Sequence, residues 1–566
     1  MKTEANLEPT DPSPYFALGR AGLAIETDSP DAQTWFDRGC QWIHAFNHEE
    51  SYRCFHRASL LDSTAAMALW GKAMSLGPNY SRPWSQIPQH ERLDVLTTSH
   101  ALAVEASKCV HPDADLEVAL CAALLKRFPE PHQDVTNEAA QLWETNFADA
   151  MVAVQHDFPE SSEVAAHAAL ALLMCTPWKL WNLHDGAEAA GSRSLEAAEI
   201  LERQMAYDRD SGEEPHSGLH HYYVHLFEMS KEPEIALEAG RILAETAPEA
   251  GHLVHMRSHV QVLTDDFEGA IATNVASEAA NQKYVDNAAD SPFFTVYRSH
   301  DYHFILYSAM MTAQREVSYR AAAKMRELAT SVPPGVGDAR LASFMDAYRS
   351  MDVHAKIRFG DWEPLSQSSE PRWPESQAPY SNAIDTYGHG IANAVLGNLD
   401  ASTRSLDRLV DMREGFSSNH WTFNNRTRDI LDVAIAMLRG ELSYRRGDYD
   451  VAFALLREAV AVDDGLTYTE PWAWMQPPRH ALGALLLEQD RVDEAQIVYK
   501  IDLGLDPTLP RPLQRRGNVW SLHGYLETQQ RSGDPAAEQT RALLEERLQN
   551  ADVPLLASCL CRLNTH

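Results

Sequence analysis

The chain has 566 residues and carries 81 Asp and Glu against 48 Lys and Arg, a formal net charge of −33. This length exceeds one ordinary hydrophobic core, so several domains or one repeat array are expected. The acidic surface repels phosphate backbones and anionic headgroups, which argues against nucleic-acid and membrane partners. No apolar signal segment, long apolar run or CxxC pair occurs, which favours a cytoplasmic location.

Residues 1–30 hold several prolines and little periodicity, so we expect an N-terminal arm there. From 31 to 566 the sequence predicts a continuous array of helices, with inserted loops near 205–217 and 360–382. Predicted helices on apolar stripes include Ala32–Phe46, Leu219–Met229, Gly251–Leu263, Phe267–Asn281, Phe293–Met311, Ala383–Leu396, Asp429–Arg446, Val451–Val462, Arg479–Glu488 and Val492–Leu503.

The predicted helices come in pairs, each joined by a short turn such as Gly447-Asp448 or Gln489-Asp490. An alanine follows each turn where two helices must touch, which is typical of degenerate tetratricopeptide repeats. We therefore predict an all-α superhelical solenoid of tetratricopeptide-like pairs that can curl towards a closed ring. Such arrays present a concave face lined by the first helix of each pair.

Histidine is abundant, with 25 residues, and it concentrates on the predicted first helices. His221/His225 and His255/His259 are spaced i,i+4, which sets each pair on one helical face of consecutive repeats. Two such pairs on adjacent helices can converge on one metal ion or on two, and imidazole suits copper, zinc and iron. The predicted ligands are His221, His225, His255, His259, His300 and His303.

Further residues are expected beside these ligands. His48, Glu49 and His480 are predicted acid–base groups or additional ligands, because imidazoles and carboxylates serve both roles. Isolated histidines such as His167 and His354 are more simply structural. The predicted substrate-binding residues come from helix ends, aromatic segments and one added cation: Asn79, Tyr80, Tyr222, Tyr223, Arg257, Trp472 and Trp474.

Five stretches carry a resemblance to a family of large microbial tetratricopeptide-repeat proteins, many without an assigned role. They are the FNHEE segment at 46–50, residues 70–80, HHYYVH at 220–225, HLVHMRSH at 252–259, and 478–483. The resemblance spans about residues 31–530 and implies a fold, not a reaction. Where the family pattern has Pro before Ser258, this chain has Arg257.

The leading hypothesis is a metal-dependent enzyme acting on a small molecule in a histidine-rich lumen, by hydrolysis or by oxidation. The alternative is a non-catalytic scaffold that binds a peptide or protein partner through its concave surface. A third option is a protein whose clustered histidines titrate near neutral pH. No Gly-rich phosphate loop, GxSxG or HExxH motif occurs to support other chemistry.

Overall fold

The computed structural model describes residues 7–131, 135–288, 294–333, 339–368 and 371–563. The chain divides into two compact units. The first consists of Met1–Val260 with Ala276–Ser291, and the second of Gln261–Val275 with Pro292–His566.

The first unit is built from consecutive helices that pack against one another along the chain. Its helices are α1 (Pro30–His44), α2 (His48–Leu61), α3 (Ala66–Leu76), α4 (Gln89–Cys109), α5 (Asp115–Arg127), α6 (Asn137–Asp157), α7 (Ser162–Leu173), α8 (Ser194–Ser211), α9 (Ser217–Glu228) and α10 (Leu237–Thr246). The division between the units falls within the next two helices, α11 (Gly251–Leu263) and α12 (Phe267–Asn287).

The second unit repeats the same plan of packed helix pairs. Its helices are α13 (Phe294–Met311), α14 (Arg315–Ser331), α15 (Ala339–Arg349), α16 (Met351–Arg358), α17 (Trp362–Ser366), α18 (Pro379–Val395), α19 (Leu399–Gly415), α20 (Thr427–Arg445), α21 (Tyr449–Asp464), α22 (Pro478–Glu488), α23 (Val492–Asp502), α24 (Val519–Ser532) and α25 (Ala537–Arg547). One short antiparallel hairpin, β1 (Trp421–Thr422) with β2 (Asn425–Arg426), lies between α19 and α20.

The same close-packing device holds helices together in both units. In the first, the Phe55 ring of α2 lies against Gly39 of α1 and Gly71 of α3, where an added Cβ would come within 2.5 Å of the ring. In the second, Tyr499 of α23 lies against Gly483 of α22 and Gly524 of α24. In each unit, an aromatic ring on the second helix of a pair thus fills the space beside a glycine on each of the two neighbouring first helices. Such close packing is expected for tetratricopeptide-like repeats.

The described part of the arm, residues 7–29, precedes α1 and packs along the first unit. The Ala17 amide donates to Glu249 at 2.8 Å, the Gly22 amide donates to Glu163 at 2.7 Å, and Arg20 pairs with Asp208 at 2.5 Å. These bonds join the arm to the carboxylates of Glu249, Glu163 and Asp208, which helix side chains also contact.

The predicted all-α class of tetratricopeptide-like helix pairs is confirmed in both units. Near the first predicted loop, α8 continues through Ser211 and ends at Gly212 with φ of 75°, so the connection to α9 is shorter than the predicted 205–217. Within 360–382, α17 forms a short helix, α18 begins at Pro379, and residues 369–370 lie outside the described residues. Every helix in the described ranges is too short or too polar to span a bilayer.

Candidate metal centre

Three histidines from two helices meet inside the first unit. His221 and His225 lie one turn apart on α9, and His252 lies in the first turn of α11. Each offers one ring nitrogen, and these three atoms lie within 4.8 Å of one another. We call this set the α9–α11 trio. Nitrogen ligands of one tetrahedral ion lie roughly 3.3 Å apart, so small ring rotations separate this arrangement from a ligand set.

The other nitrogen of two trio members is already engaged. Nδ1 of His221 lies 2.6 Å from the His44 carbonyl oxygen, to which it donates, and Nδ1 of His225 lies 2.8 Å from Glu228 Oε1. Nε2 of His221 and Nε2 of His225 are buried and have no hydrogen-bond partner in the described part of the chain. A proton held on Nδ1 leaves a lone pair on Nε2, which is the arrangement that metal-binding imidazoles adopt.

Burial keeps two members of the trio, His221 and His225, in the form that a metal requires. His221 is 0% exposed and His225 is 2% exposed. Burial lowers the pKa of His225 to about 3, and it holds the pKa of His221 well below its usual value, with the neighbouring His225 adding to the shift. Both rings are therefore neutral at pH 7, and a neutral imidazole binds metal without first losing a proton.

Aromatic rings wall the trio. Phe46, in a left-handed conformation with φ of 56°, has its ring centroid 4.4 Å from that of His221 and 5.2 Å from that of His252. The Tyr80 ring lies 4.8 Å from His225 on another side. Such walls exclude water, and a low local dielectric strengthens any charge that a bound ion brings.

A second pair of histidines lies further along α11. His255 and His259 have their Nε2 atoms 2.8 Å apart, and Nδ1 of His259 contacts Glu228 Oε2. Glu228 is fully buried at the end of α9. Its carboxylate therefore contacts His225 of the trio through one oxygen and His259 through the other.

A different buried cluster surrounds Glu163 on α7. Nε2 of His44, His167 and His216 each lie 3.0 Å from its carboxylate, and the Gly22 amide is a fourth donor. Burial alone would raise the pKa of Glu163, but the imidazoles, His44 foremost, hold it well below its usual value. Four donors satisfy the four lone pairs of a carboxylate, so this Glu163 cluster is complete without an ion.

The two clusters differ in which ring nitrogens are engaged. In the Glu163 cluster, Nδ1 of His167 and Nδ1 of His216 have no hydrogen-bond partner among the described residues. If Nε2 bound a metal there, each Nδ1 would carry a buried proton without an acceptor, which is costly. Glu163 and His216 are absent from the residues predicted from the sequence, because nothing in their local sequence distinguishes them from ordinary helix-start residues.

The FNHEE segment has a clear structural role. Asn47 caps α2 by accepting from the Glu50 amide at 3.2 Å, and Glu50 binds Arg53 at 2.9 Å and the Tyr284 hydroxyl at 3.2 Å. His48, which follows the predicted helix Ala32–Phe46, is the first residue of α2, because the Asn47 cap starts the helix there. Neither ring nitrogen of His48 has a hydrogen-bond partner within the described ranges, and burial lowers its pKa to about 3.

The other predicted residues of the first unit contact residues outside the trio or lie on other elements. Glu49 lies in the first turn of α2. The Tyr222 hydroxyl lies 2.8 Å from His44 Nδ1, whereas the Tyr223 hydroxyl donates to Glu202 of α8. Asn79 forms a tight turn with Arg82, and Arg257 packs close to Gly240 of α10.

The remaining predicted residues lie in the second unit. His300 and His303 are on α13, and Nε2 of His303 lies 3.0 Å from Met475 Sδ while its ring stacks on Phe423. His480 bridges the Arg358 guanidinium at 2.9 Å and Asp502 at 3.1 Å. Trp472 and Trp474 are buried, packing against Tyr307 and Tyr387 respectively. The roles assigned to these residues from sequence stay predictions.

No protein-family model matches the chain, and no curated protein matches it. Among solved structures, yeast Tom70 is 13% identical with a TM-score of 0.30, covering 90% of this chain and 99% of that chain. The structure of Naa15/Naa10 bound to HypK-THB is 12% identical with a TM-score of 0.21, covering 91% and 70%. A signal transduction ATPase with a tetratricopeptide repeat sensor from Pyrococcus horikoshii is 10% identical with a TM-score of 0.23, covering 93% and 89%. Likeness at this level concerns the fold alone, and the fold class rests on the helix pairs described above.

Proposed function

We propose that this protein is a helical-repeat scaffold that binds a transition-metal ion at His221, His225 and His252. The observation that carries the proposal is the pair of buried Nε2 atoms of His221 and His225. Each lacks a hydrogen-bond partner within the described residues, while the Nδ1 of the same ring is held by an acceptor. A buried polar atom without a partner costs about 1–3 kcal/mol, and a metal ion removes that cost.

The finer form of the proposal is a metal-dependent enzyme acting on a small molecule. Three protein ligands leave a coordination position open, where a zinc, copper or iron ion would activate water or dioxygen. The chain's own contribution is to orient the imidazoles through the His44 carbonyl and Glu228, and to exclude water with Phe46 and Tyr80. His48, with neither ring nitrogen engaged in the described residues, is the proposed acid–base group.

The metal content of the untagged protein, measured by plasma mass spectrometry, tests the binding proposal. We expect bound copper, zinc or iron in the purified protein, and a fall in affinity of about 10-fold or more in His221→Ala and His225→Ala. His354→Ala is the matched control, because it also removes a fully buried imidazole. Metal content equal in all four proteins, or no uptake of added metal by any of them, would refute the proposed site.

A second candidate function is a non-catalytic scaffold for a protein or peptide partner. The helix-pair architecture supports this candidate at least as well as it supports an enzyme, since arrays of this class present extended binding surfaces. The formal net charge of −33 favours a basic partner. Isolation of the tagged protein at physiological ionic strength tests it: a stoichiometric partner that dissociates at high salt supports the scaffold, and its absence with metal bound supports the first candidate.

A further inference from the structure

The pair formed by His255 and His259 is chemically distinct from the α9–α11 trio. Their Nε2 atoms face each other at 2.8 Å, with the ring planes nearly perpendicular at 88°. Both side chains are almost fully buried, with 1% and 2% of the residue exposed. Two imidazole nitrogens at this separation either share one proton in a hydrogen bond or chelate an ion.

Glu228 links this pair to the trio. Its Oε1 lies 2.8 Å from Nδ1 of His225, and its Oε2 contacts Nδ1 of His259. A carboxylate that accepts a hydrogen bond from Nδ1–H keeps the lone pair on Nε2 and raises the basicity of that nitrogen. The lone pair of His225 is then on Nε2, which has no partner within the described residues, whereas that of His259 is directed to Nε2 of His255. One buried carboxylate thus orients two imidazoles, each of which can serve a different metal position.

We infer that the protein binds a second divalent transition-metal ion at His255 and His259, forming a two-metal centre with Glu228 as the shared positioning residue. This inference rests on the proposed function of the trio. The two positions are distinguished by the bonds to Glu228: Oε1 contacts Nδ1 of His225 and Oε2 contacts Nδ1 of His259, so the Nε2 atoms of the two rings are the ones left for metal ions. The centroids of the His225 and His259 rings lie 5.7 Å apart, so the two positions are neighbours within the first unit.

The stoichiometry of zinc binding tests the inference on the full-length protein. After removal of bound metal and dialysis against zinc, we expect two equivalents in the wild type and one each in His259→Ala and His221→Ala. His255→Ala should repeat the result of His259→Ala, and the His354→Ala control should keep two. Circular dichroism of each variant verifies folding, and a variant that unfolds is replaced by the corresponding glutamine variant.

Each outcome separates the inference from the proposed function. One equivalent in the wild type, kept by His259→Ala and lost by His221→Ala, overturns the second position and leaves the trio in place. One equivalent lost by His259→Ala and kept by His221→Ala overturns the trio instead. No binding in any protein overturns both.

The role of Glu228 has a readout of its own. With Cu²⁺ in both positions, the two unpaired electrons couple, and the paramagnetic resonance signal falls below that expected for two isolated ions.

Glu228→Gln keeps the size of the side chain but removes the negative charge that accepts hydrogen bonds from both Nδ1–H groups. We expect it to weaken both positions by about 10–100-fold. A Glu228→Gln protein with unchanged affinity at both positions would overturn the shared positioning role.

Discussion

His221 and His167 are both buried imidazoles on the first helices of repeats, yet opposite ring nitrogens are engaged. His221 uses Nδ1 and leaves Nε2 without a partner in the described residues, whereas His167 uses Nε2 on Glu163. The first arrangement fits a ligand and the second fits a buried hydrogen-bond network. At the residue scale, whether a buried histidine suits metal binding therefore depends on which ring nitrogen its hydrogen bonds leave over, and not on the residue type alone.

His354 of α16 gives a residue-scale prediction about pH. Its ring is fully buried against the edge of Trp474, and burial lowers its pKa to about 4. In the unfolded chain His354 takes up a proton below its ordinary pKa of about 6.5, whereas in the folded protein it stays neutral down to about pH 4. The free energy of unfolding therefore falls as the pH falls through this window. Between pH 7 and pH 5 the wild type should lose about 2 kcal/mol more unfolding free energy than His354→Leu.

Urea unfolding at a series of pH values, monitored by tryptophan fluorescence, measures this difference. His480, whose pKa burial also lowers to about 4, titrates in the same window in both proteins and cancels in the comparison. Parallel stability curves for wild type and His354→Leu would contradict the depressed pKa of His354.

At the scale of elements, the spacing between paired helices is set by glycine. Gly524 of α24 faces the Tyr499 ring, and the Tyr499 hydroxyl is in turn held by Ser558 at 2.5 Å. Because the ring is anchored at both ends, it cannot move aside for an added methyl group. The same geometry recurs at Phe55 of the first unit, which makes the device a property of the repeat and not of one contact.

Gly524→Ala should therefore destabilise the protein by up to about 2 kcal/mol, because overpacking costs about 1–3 kcal/mol and helix propensity returns about 1 kcal/mol. Gly415→Ala is the matched control: Gly415 ends α19 with nothing within 4 Å of an added Cβ, so this variant should be neutral or slightly more stable. Thermal unfolding of both variants beside the wild type checks the pair. A Gly524→Ala protein as stable as Gly415→Ala would mean that Tyr499 relaxes freely.

For the whole molecule, the dominant long-range force is the repulsion among its acidic groups. The excess of 81 acidic over 48 basic side chains destabilises the compact state through self-repulsion, and dissolved salt screens it over about 10 Å at 0.1 M. Raising NaCl from 20 to 300 mM, with a chelator present, should therefore stabilise the protein by about 1 kcal/mol, or roughly 1–2 °C in Tm for a chain of this length. Calorimetry at each ionic strength measures the shift. A Tm that falls with added NaCl would mean that attractive ion pairs outweigh the net charge.

The local features of the fold followed from the sequence. The predicted helix Gly251–Leu263 is α11 residue for residue, and Arg479–Glu488 differs from α22 by one residue at its start. Helix periodicity, turn residues and i,i+4 neighbours are properties of a few consecutive residues, so the sequence by itself determined the helix pairs and the HxxxH spacing.

Which histidines meet was decided only by the tertiary structure. The trio includes His252, which the predicted ligand set omitted, while His255 contacts His259, and His259 contacts Glu228. The bonds that decide this, such as His221 to the His44 carbonyl and His44 to Glu163, join residues more than a hundred positions apart. Ring orientation depends on such distant partners, and a one-dimensional spacing carries no information about them.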